Sequence, residues 1–167
     1  MNSIIPVESI ESKIIVLRGK KVLLDRDLAI LYGVETRSLN QAAKRNIERF
    51  PDDFMFRLNK EEVNSLVSQF VIPSVQHLGG SMPHVFTEQG VAMLSSVLKS
   101  ERAIQVNIMI MRAFVKIREV ISSHSEIARR ISELESRVDN HDETIVEIIN
   151  ALKKLIPIYS DKPKIGF

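Results

Sequence analysis

The feature that most constrains this chain is a run of apolar residues, interrupted by one histidine, that recurs in alternating steps of four and three. It consists of Ile127, Ile131, Leu134, Val138, His141, Ile145, Ile148, Leu152 and Leu155. On an α-helix this spacing lines the side chains along one narrow seam, which is the heptad pattern of a coiled coil. A helix that packs only on its own domain has a wider apolar stripe. These nine residues are therefore predicted to form an oligomer interface.

The seam also indicates the extent of the helix and the type of oligomer. Its register runs back to Ala103, which predicts a helix over 101–156 with a break considered at Ser122 and Ser123. Isoleucines at d positions, such as Ile127, shift the preference of a coiled coil from two strands towards three or four. We expect a homo-oligomer, with a dimer as the first expectation and a trimer or tetramer as alternatives.

Composition excludes several classes of function. The 167 residues include no cysteine, so disulfides, thiol catalysis and cysteine-bound zinc are excluded. No phosphate-binding glycine motif, nucleophile elbow or zinc-protease motif is present, and the four histidines lack metal-ligand spacing. No apolar stretch approaches the roughly 20 residues that span a bilayer. We expect a cytoplasmic protein that is not an enzyme, without cofactor, catalytic residues, metal or membrane partner.

A helix-turn-helix is predicted between residues 25 and 47. Asp25 is expected to cap a short helix that Gly33 ends, because glycine readily takes the left-handed conformation found after helices. Thr36 or Ser38 is expected to cap the second helix, which ends near residue 47. The residues predicted on its inner side by helical spacing are Leu39, Ala42, Ala43 and Ile47.

Short β-strands surround this helix pair. A hairpin is predicted over 12–24, and further strands over 54–58 and 84–86. The last two could form a wing on DNA or a sheet that supports the helices. The loop at 71–83 contains no lysine or arginine, so a supporting sheet is favoured.

Two further helices are predicted from their capping residues. Asn59 precedes one, with Glu62 in the position of a capping box, and Thr87 precedes a helix over 88–98. The resulting fold class is α+β, a small helix-turn-helix-like domain with short β-strands followed by a long C-terminal coiled-coil helix. The predicted domains are residues 1–121, a coiled-coil helix at 122–156 and a flexible tail at 157–167.

Basic and amide side chains are concentrated on the second helix of the pair. Lysine and arginine outnumber acids by 16 to 13 in residues 1–121 but not in 122–167, where the ratio is 7 to 8. Arginine can pair with guanine and amides with adenine, whereas lysine and arginine hold phosphates. The alternative is a solvated polar helix face. The candidate DNA-binding residues are Arg37, Asn40, Gln41, Lys44, Arg45, Asn46 and Arg49.

Several words of the sequence resemble a known family. LYGV, LNQAAKRN, RFPDDFMFRL and FTEQGVAML occur in the order typical of the phage KilA-N-related domain called the ORF-six N-terminal domain. The resemblance covers roughly residues 6–119 and implies a DNA-binding domain of phage and prophage proteins, often a repressor or antirepressor. It maps Arg37, Asn40, Lys44, Arg45 and Asn46 to the reading helix. Relatives usually carry basic residues after the paired glycines, whereas Ser81, Met82 and Pro83 follow them here.

Two functions are therefore expected from different classes. The first is a transcriptional regulator that reads double-stranded DNA with helix 36–49 and oligomerises through the seam. The second is a protein-interaction adaptor or antirepressor in which the coiled coil binds a protein partner and DNA binding is weak or absent.

Overall fold

The computed structural model describes residues 6–155. The elements are α1 (Val7–Glu11), β1 (Ile15–Leu17), β2 (Lys20–Leu24), α2 (Asp25–Tyr32), α3 (Thr36–Arg45), a 3₁₀ turn (Ile47–Arg49), β3 (Met55–Arg57), α4 (Lys60–Ser68), a 3₁₀ turn (Val75–Leu78), β4 (His84–Thr87), α5 (Glu88–Val97) and α6 (Glu101–Leu155). Contacts divide the chain into two units, Met1–Arg118 and Glu119–Phe167, which are described separately. The predicted tail at 157–167 lies outside the described residues, as does the side chain of Leu155.

The four strands form one antiparallel sheet in the order β1-β2-β4-β3. The predicted hairpin is confirmed as β1 and β2, and β4 lies between β2 and β3. The strands predicted at 54–58 and 84–86 are thus neighbours within the sheet of the domain, as expected for a supporting sheet. The α+β fold class with a long C-terminal helix is confirmed.

Alternation along β2 directs its side chains into two separate cores. Leu23 lies in the core beneath α2, α3 and α5, whereas Val22 and Leu24 lie in a second core with α4. Successive side chains of a strand point to opposite faces of a sheet, so one strand can serve both cores. The first core positions α2 and α3, the predicted helix-turn-helix.

Side-chain caps begin three of the helices, and two of these caps are the predicted Asn59 and Thr87. Asn59 accepts a hydrogen bond from the Glu62 amide at 2.8 Å, and Glu62 accepts one from the Asn59 amide at 2.9 Å, so the capping box is confirmed. Thr87 accepts from the Gly90 amide and Ser100 from the Ala103 amide. These bonds satisfy amides that the first turn of a helix leaves unpaired.

The caps predicted for α2 and α3 are wrong. Asp25 and Thr36 are the first helical residues, and the preceding Leu24 and Glu35 take the N-cap positions without a side-chain bond. Ser38 lies inside α3. Asp25 is drawn into the helix because its carboxylate is used in the interior, as described below.

The predicted end of the second helix is also wrong. α3 ends at Arg45, and Ile47, predicted on the inner side, is 55% exposed at the start of a 3₁₀ turn. This turn leads the chain to Phe50, which is buried with its ring edge-on to Phe86 at 5.9 Å between centroids. Phe50, rather than Ile47, is therefore the residue of this segment that lies in the first core.

Helix α6 contributes to both units. In the first unit one side of α6 joins the first core through Ala103, Val106, Ile110, Ala113 and Phe114. Asn107 accepts a hydrogen bond from the hydroxyl of Tyr32. Burial raises the pKa of Tyr32. The break considered at Ser122 and Ser123 does not occur, because both are helical and the Ser123 hydroxyl donates to the Val120 carbonyl. Within 6–155, no helix combines the length and apolarity needed to cross a membrane.

Candidate nucleic-acid interface

A three-residue turn at 33–35 joins α2 to α3. Gly33 has φ +70°, a left-handed conformation that side chains rarely adopt, and its amide donates to the Ile30 carbonyl. A Cβ at this position would lie 2.9 Å from Nε of Arg102. That nitrogen donates to the Leu31 carbonyl at 3.0 Å, so the glycine lets an arginine of α6 close over the end of α2. Two hydrogen bonds therefore hold the turn: the one from the Gly33 amide and the one from Arg102.

The outer face of α3 presents polar side chains that have no partner in the described chain. Leu39 and Ala43 are buried, and the residues on the opposite side of the helix are exposed. No hydrogen bond or ion pair within 6–155 engages the side chains of these exposed residues, namely Arg37, Gln41, Lys44 and Arg45. Their spacing of four, three and one keeps them on adjoining turns of one surface.

The other three predicted DNA-binding residues are engaged within the domain. Asn40 donates through Nδ2 to Asp25 at 2.7 Å, and Asn46 donates through Nδ2 to the Ala42 carbonyl at 2.9 Å. Arg49 donates to the hydroxyl of Ser96 at 2.9 Å. The seven candidates therefore divide into four that project from α3 and three whose side chains bind neighbouring elements.

Asp25 joins three elements at the base of this surface. Its side chain is 5% exposed, and one oxygen accepts from the Arg26 amide at 2.8 Å. The other oxygen accepts from Asn40 and, at 3.1 Å, from the backbone amide of His84. A buried carboxylate needs such donors, because an unpaired charge in the interior is strongly unfavourable. The sequence gives no sign of this role beyond the presence of an acid at a helix start.

His84 lies beside this carboxylate, with Nδ1 at 3.9 Å from Asp25 Oδ2. Burial lowers the pKa of His84, the Asp25 charge acts in the opposite direction, and the nearby charge of Arg57 lowers the pKa further. The neutral imidazole is thus favoured relative to an exposed histidine.

A cleft of about 840 Å³ opens between the start of α3 and the loop that leads to β4. Arg26 of α2, Arg37 of α3 and Arg57 of β3 all line it, together with His77 and His84. Of these three arginines only Arg37 is predicted from the sequence, and the predicted residue Asn40 lines the cleft as well. Arg26 and Arg57 are distant in sequence and meet only because β4 places β2 and β3 on either side of itself.

In the second unit, the predicted seam is an exposed stripe on α6. Its residues are 51–57% exposed where their exposure is given, namely Ile127, Ile131, Leu134, Val138, Ile145, Ile148 and Leu152. His141 is exposed as well. Val146 and Ile149 are also exposed and widen the stripe in its last turns. Arg130 pairs with Glu126 of its own helix at 3.0 Å.

The first unit is therefore an α+β domain that presents a cationic helix after a glycine turn, the class of domain that includes many nucleic-acid binders. The ORF6N domain model matches residues 12–97, about half of the 167 residues, and the chain belongs to this phage-associated family of regulatory or DNA-binding type. No curated protein and no solved structure gives a significant match to the chain.

Proposed function

We propose that this ORF6N-family protein is a DNA-binding regulator of repressor or antirepressor type that acts without catalysis in the cytoplasm of a phage host. The observation that carries the proposal is the outer face of α3. Its four exposed polar side chains, three of them cationic, have no partner within residues 6–155. They lie on the side of α3 opposite the buried Leu39 and Ala43. Such a face matches the phosphates and base edges of duplex DNA in charge and in hydrogen-bonding capacity.

The positions of the exposed residues along α3 suggest which groups of DNA each of them contacts. Gln41 lies in the middle of the helix and is assigned to base edges in the major groove, and Arg37 lies in the first turn, beside the cleft. Lys44 and Arg45 lie at the end of the helix and are assigned to phosphates. The N-terminal amides of α3 lack a side-chain cap and can receive a further phosphate, because helix N-termini attract anions.

The exposed stripe on α6 is assigned to self-association. Seven large apolar side chains that remain more than half exposed on one face of a helix are costly in water, and a second copy of the same stripe would cover them. Joining two reading domains raises their apparent affinity for paired half-sites through effective concentration. A dimer is the first assignment; the isoleucines of the stripe and the exposed Val146 and Ile149 favour three or four helices as the alternative.

The proposal is tested by the salt dependence of DNA binding. The protein first selects sites from random duplex DNA, and its affinity is then measured across salt concentrations. Each phosphate contact contributes about 0.9 to the slope of log K against log salt concentration, so Lys44→Ala with Arg45→Ala should reduce the slope by about 1.8 per reading domain. Lys153→Ala with Lys154→Ala removes the same charge from exposed positions of α6 and should leave the slope unchanged. An equal slope in the α3 variant and the parent protein would contradict the proposal.

The second candidate function is a protein-interaction adaptor, favoured by the exposed stripe on α6. In that case another protein, rather than a second copy, covers the stripe. The adaptor is favoured over the regulator if the protein is a monomer, binds DNA weakly and without sequence preference, and binds a partner protein tightly through α6.

A further inference from the structure

The cleft at the start of α3 carries an excess of positive charge, since three arginines and one acid of residues 6–155 line it. Arg26, Arg37 and Arg57 line it, and no salt bridge within 6–155 involves any of their guanidinium groups. By contrast, Arg18 and Arg118 are paired with glutamates. Three unpaired guanidinium groups around one cavity repel each other unless an anion joins them.

The one acid in the cleft does not supply that anion. The Asp25 carboxylate is almost fully buried, and its two oxygens already accept hydrogen bonds from the backbone amides of Arg26 and His84 and from the Asn40 side chain. No hydrogen bond or ion pair within residues 6–155 joins this carboxylate to any of the three guanidinium groups. The three guanidinium groups therefore lack an anionic partner among residues 6–155.

Unsatisfied polar atoms point to the same cleft. Five buried side-chain atoms of the described residues lack a hydrogen-bond partner, and three of them belong to residues that line it, namely Arg26 Nη1, Asn40 Oδ1 and His84 Nδ1. Buried polar groups are rarely left unpaired in folded proteins. Their concentration beside one cavity indicates a polar occupant, with small side-chain adjustments when it binds.

The size and the remaining walls define the occupant further. A cavity of about 840 Å³ is far larger than one phosphate and lies within the range of about 300–1,000 Å³ typical of small-molecule sites. Ile30, Leu78 and Met82 give it apolar surface beside the arginines. Arginine binds phosphate with two parallel hydrogen bonds, and apolar walls suit the flat face of a base.

We propose that this cleft binds a nucleoside phosphate, with the phosphate held by Arg26, Arg37 and Arg57. The nucleotide is either free or part of a DNA strand, and both present the same chemistry to the cleft. For a nucleotide within DNA the inference rests on the proposed function; for a free nucleotide it does not.

Calorimetric titration of the full chain with deoxyadenosine and thymidine monophosphates tests the free form, and the matching nucleosides serve as probes that lack the phosphate. The monophosphates should bind and the nucleosides should not. Arg57→Gln and Arg26→Gln should each weaken binding about tenfold or more, because a charge-assisted hydrogen bond is lost. Arg57→Lys should keep part of the affinity. Arg112→Gln removes an exposed arginine outside the cleft and should have no effect, and thermal unfolding checks that each variant is folded.

The second arm uses duplex DNA and the salt slope. If the nucleotide belongs to a DNA strand, monophosphates alone bind weakly, and Arg57→Gln should reduce the slope by about 0.9 while Arg112→Gln does not. DNA binding that depends on Lys44 and Arg45 but is indifferent to Arg26 and Arg57, without monophosphate binding, would overturn the inference and leave the proposed function standing. Monophosphate binding lost in Arg57→Gln, without DNA binding, would support the inference and overturn the function. Absence of both kinds of binding would overturn both.

Discussion

Breaking the stripe on α6 should convert the protein to a monomer. The perturbation is Leu134→Asp with Ile145→Asp, at a d and an a position of the seam. Leu134 is 57% and Ile145 52% exposed in the single chain, so about half of each side chain remains to be buried on association. Full burial of such a side chain contributes about 1.5–3 kcal/mol, so burial of the exposed half contributes about 1 kcal/mol for each side chain.

A dimer contains four of these side chains, so the double substitution removes about 4 kcal/mol of association free energy, or about a thousandfold in Kd. The carboxylates placed in the seam add desolvation, and repulsion where two of them face each other, which increases the loss. We therefore expect the variant to have the mass of a single chain, 19.0 kDa, at concentrations where the parent is oligomeric.

Light scattering coupled to size-exclusion chromatography measures the mass directly. Ser136→Asp with Asn150→Asp is the matched control, because both positions are five residues after an a position and lie on the far side of the helix. It adds the same charge and should keep the parent mass, while circular dichroism verifies that both variants retain α6. A parent that is already monomeric, or a seam variant that remains oligomeric, would refute the assignment of the interface.

Two further predictions concern the first unit. Gly90→Ala should destabilise the domain by about 2–4 kcal/mol in urea unfolding, although alanine is the better helix former, because its Cβ would lie 2.1 Å from the Phe54 carbonyl oxygen. Ser95→Ala, at an exposed position of the same helix, is the control, and equal stability of the two variants would contradict the packing argument. His84 has a lowered pKa in the folded state. As pH falls through the ordinary histidine pKa of about 6.5, the unfolded chain therefore binds more protons than the folded chain. This contribution of His84 to stability is full above that pH and declines below it. His84→Gln should therefore make the loss of unfolding free energy between pH 7.5 and 5.5 smaller than in the parent. An equal loss would show that His84 is not responsible.

Local signals in the sequence predict several helix starts well. The Asn59 and Glu62 capping box and the Thr87 cap depend on residues within one turn of each other, so the sequence contains all the participants. Gly33 is predicted to end α2 for the same reason, since the left-handed conformation requires only the glycine itself. Helix ends that depend only on residues close in sequence can therefore be predicted from the sequence.

Tertiary demands account for the errors. Asp25 has the residue type of an N-cap, but the amide of His84 and the side chain of Asn40 recruit its carboxylate to the interior. Ile47 has the spacing of an inner residue, but the burial of Phe50 ends the helix before it. In each case a contact with another element competes with the local preference and prevails: Asp25 binds His84 of β4, and Phe50 packs on Phe86 of the same strand.

The candidate cleft was beyond sequence reasoning for a related reason. Arg26, Arg37 and Arg57 lie on three elements, and each has an ordinary meaning in its own segment as a solvated basic residue. The order β2-β4-β3 brings the first and last of them to one cavity. Sheet order is not encoded in the spacing of residues along one strand, so this convergence of charge could not be predicted.

Helix α6 shows what heptad spacing can and cannot distinguish. The steps of four and three run through Ala103, Val106, Ile110 and Ala113, which are buried within the first unit, and also through the stripe at 127–152, which is exposed. Spacing alone therefore predicts a seam without indicating whether the chain itself or another chain covers it. Composition is more informative: two of the four buried positions are alanines, which let a helix pack closely on its own domain, whereas every apolar position of the exposed stripe is Ile, Leu or Val. Large side chains on a narrow seam are the residues that fill the space between helices of separate chains, and this difference is the reason for assigning self-association to the second unit alone.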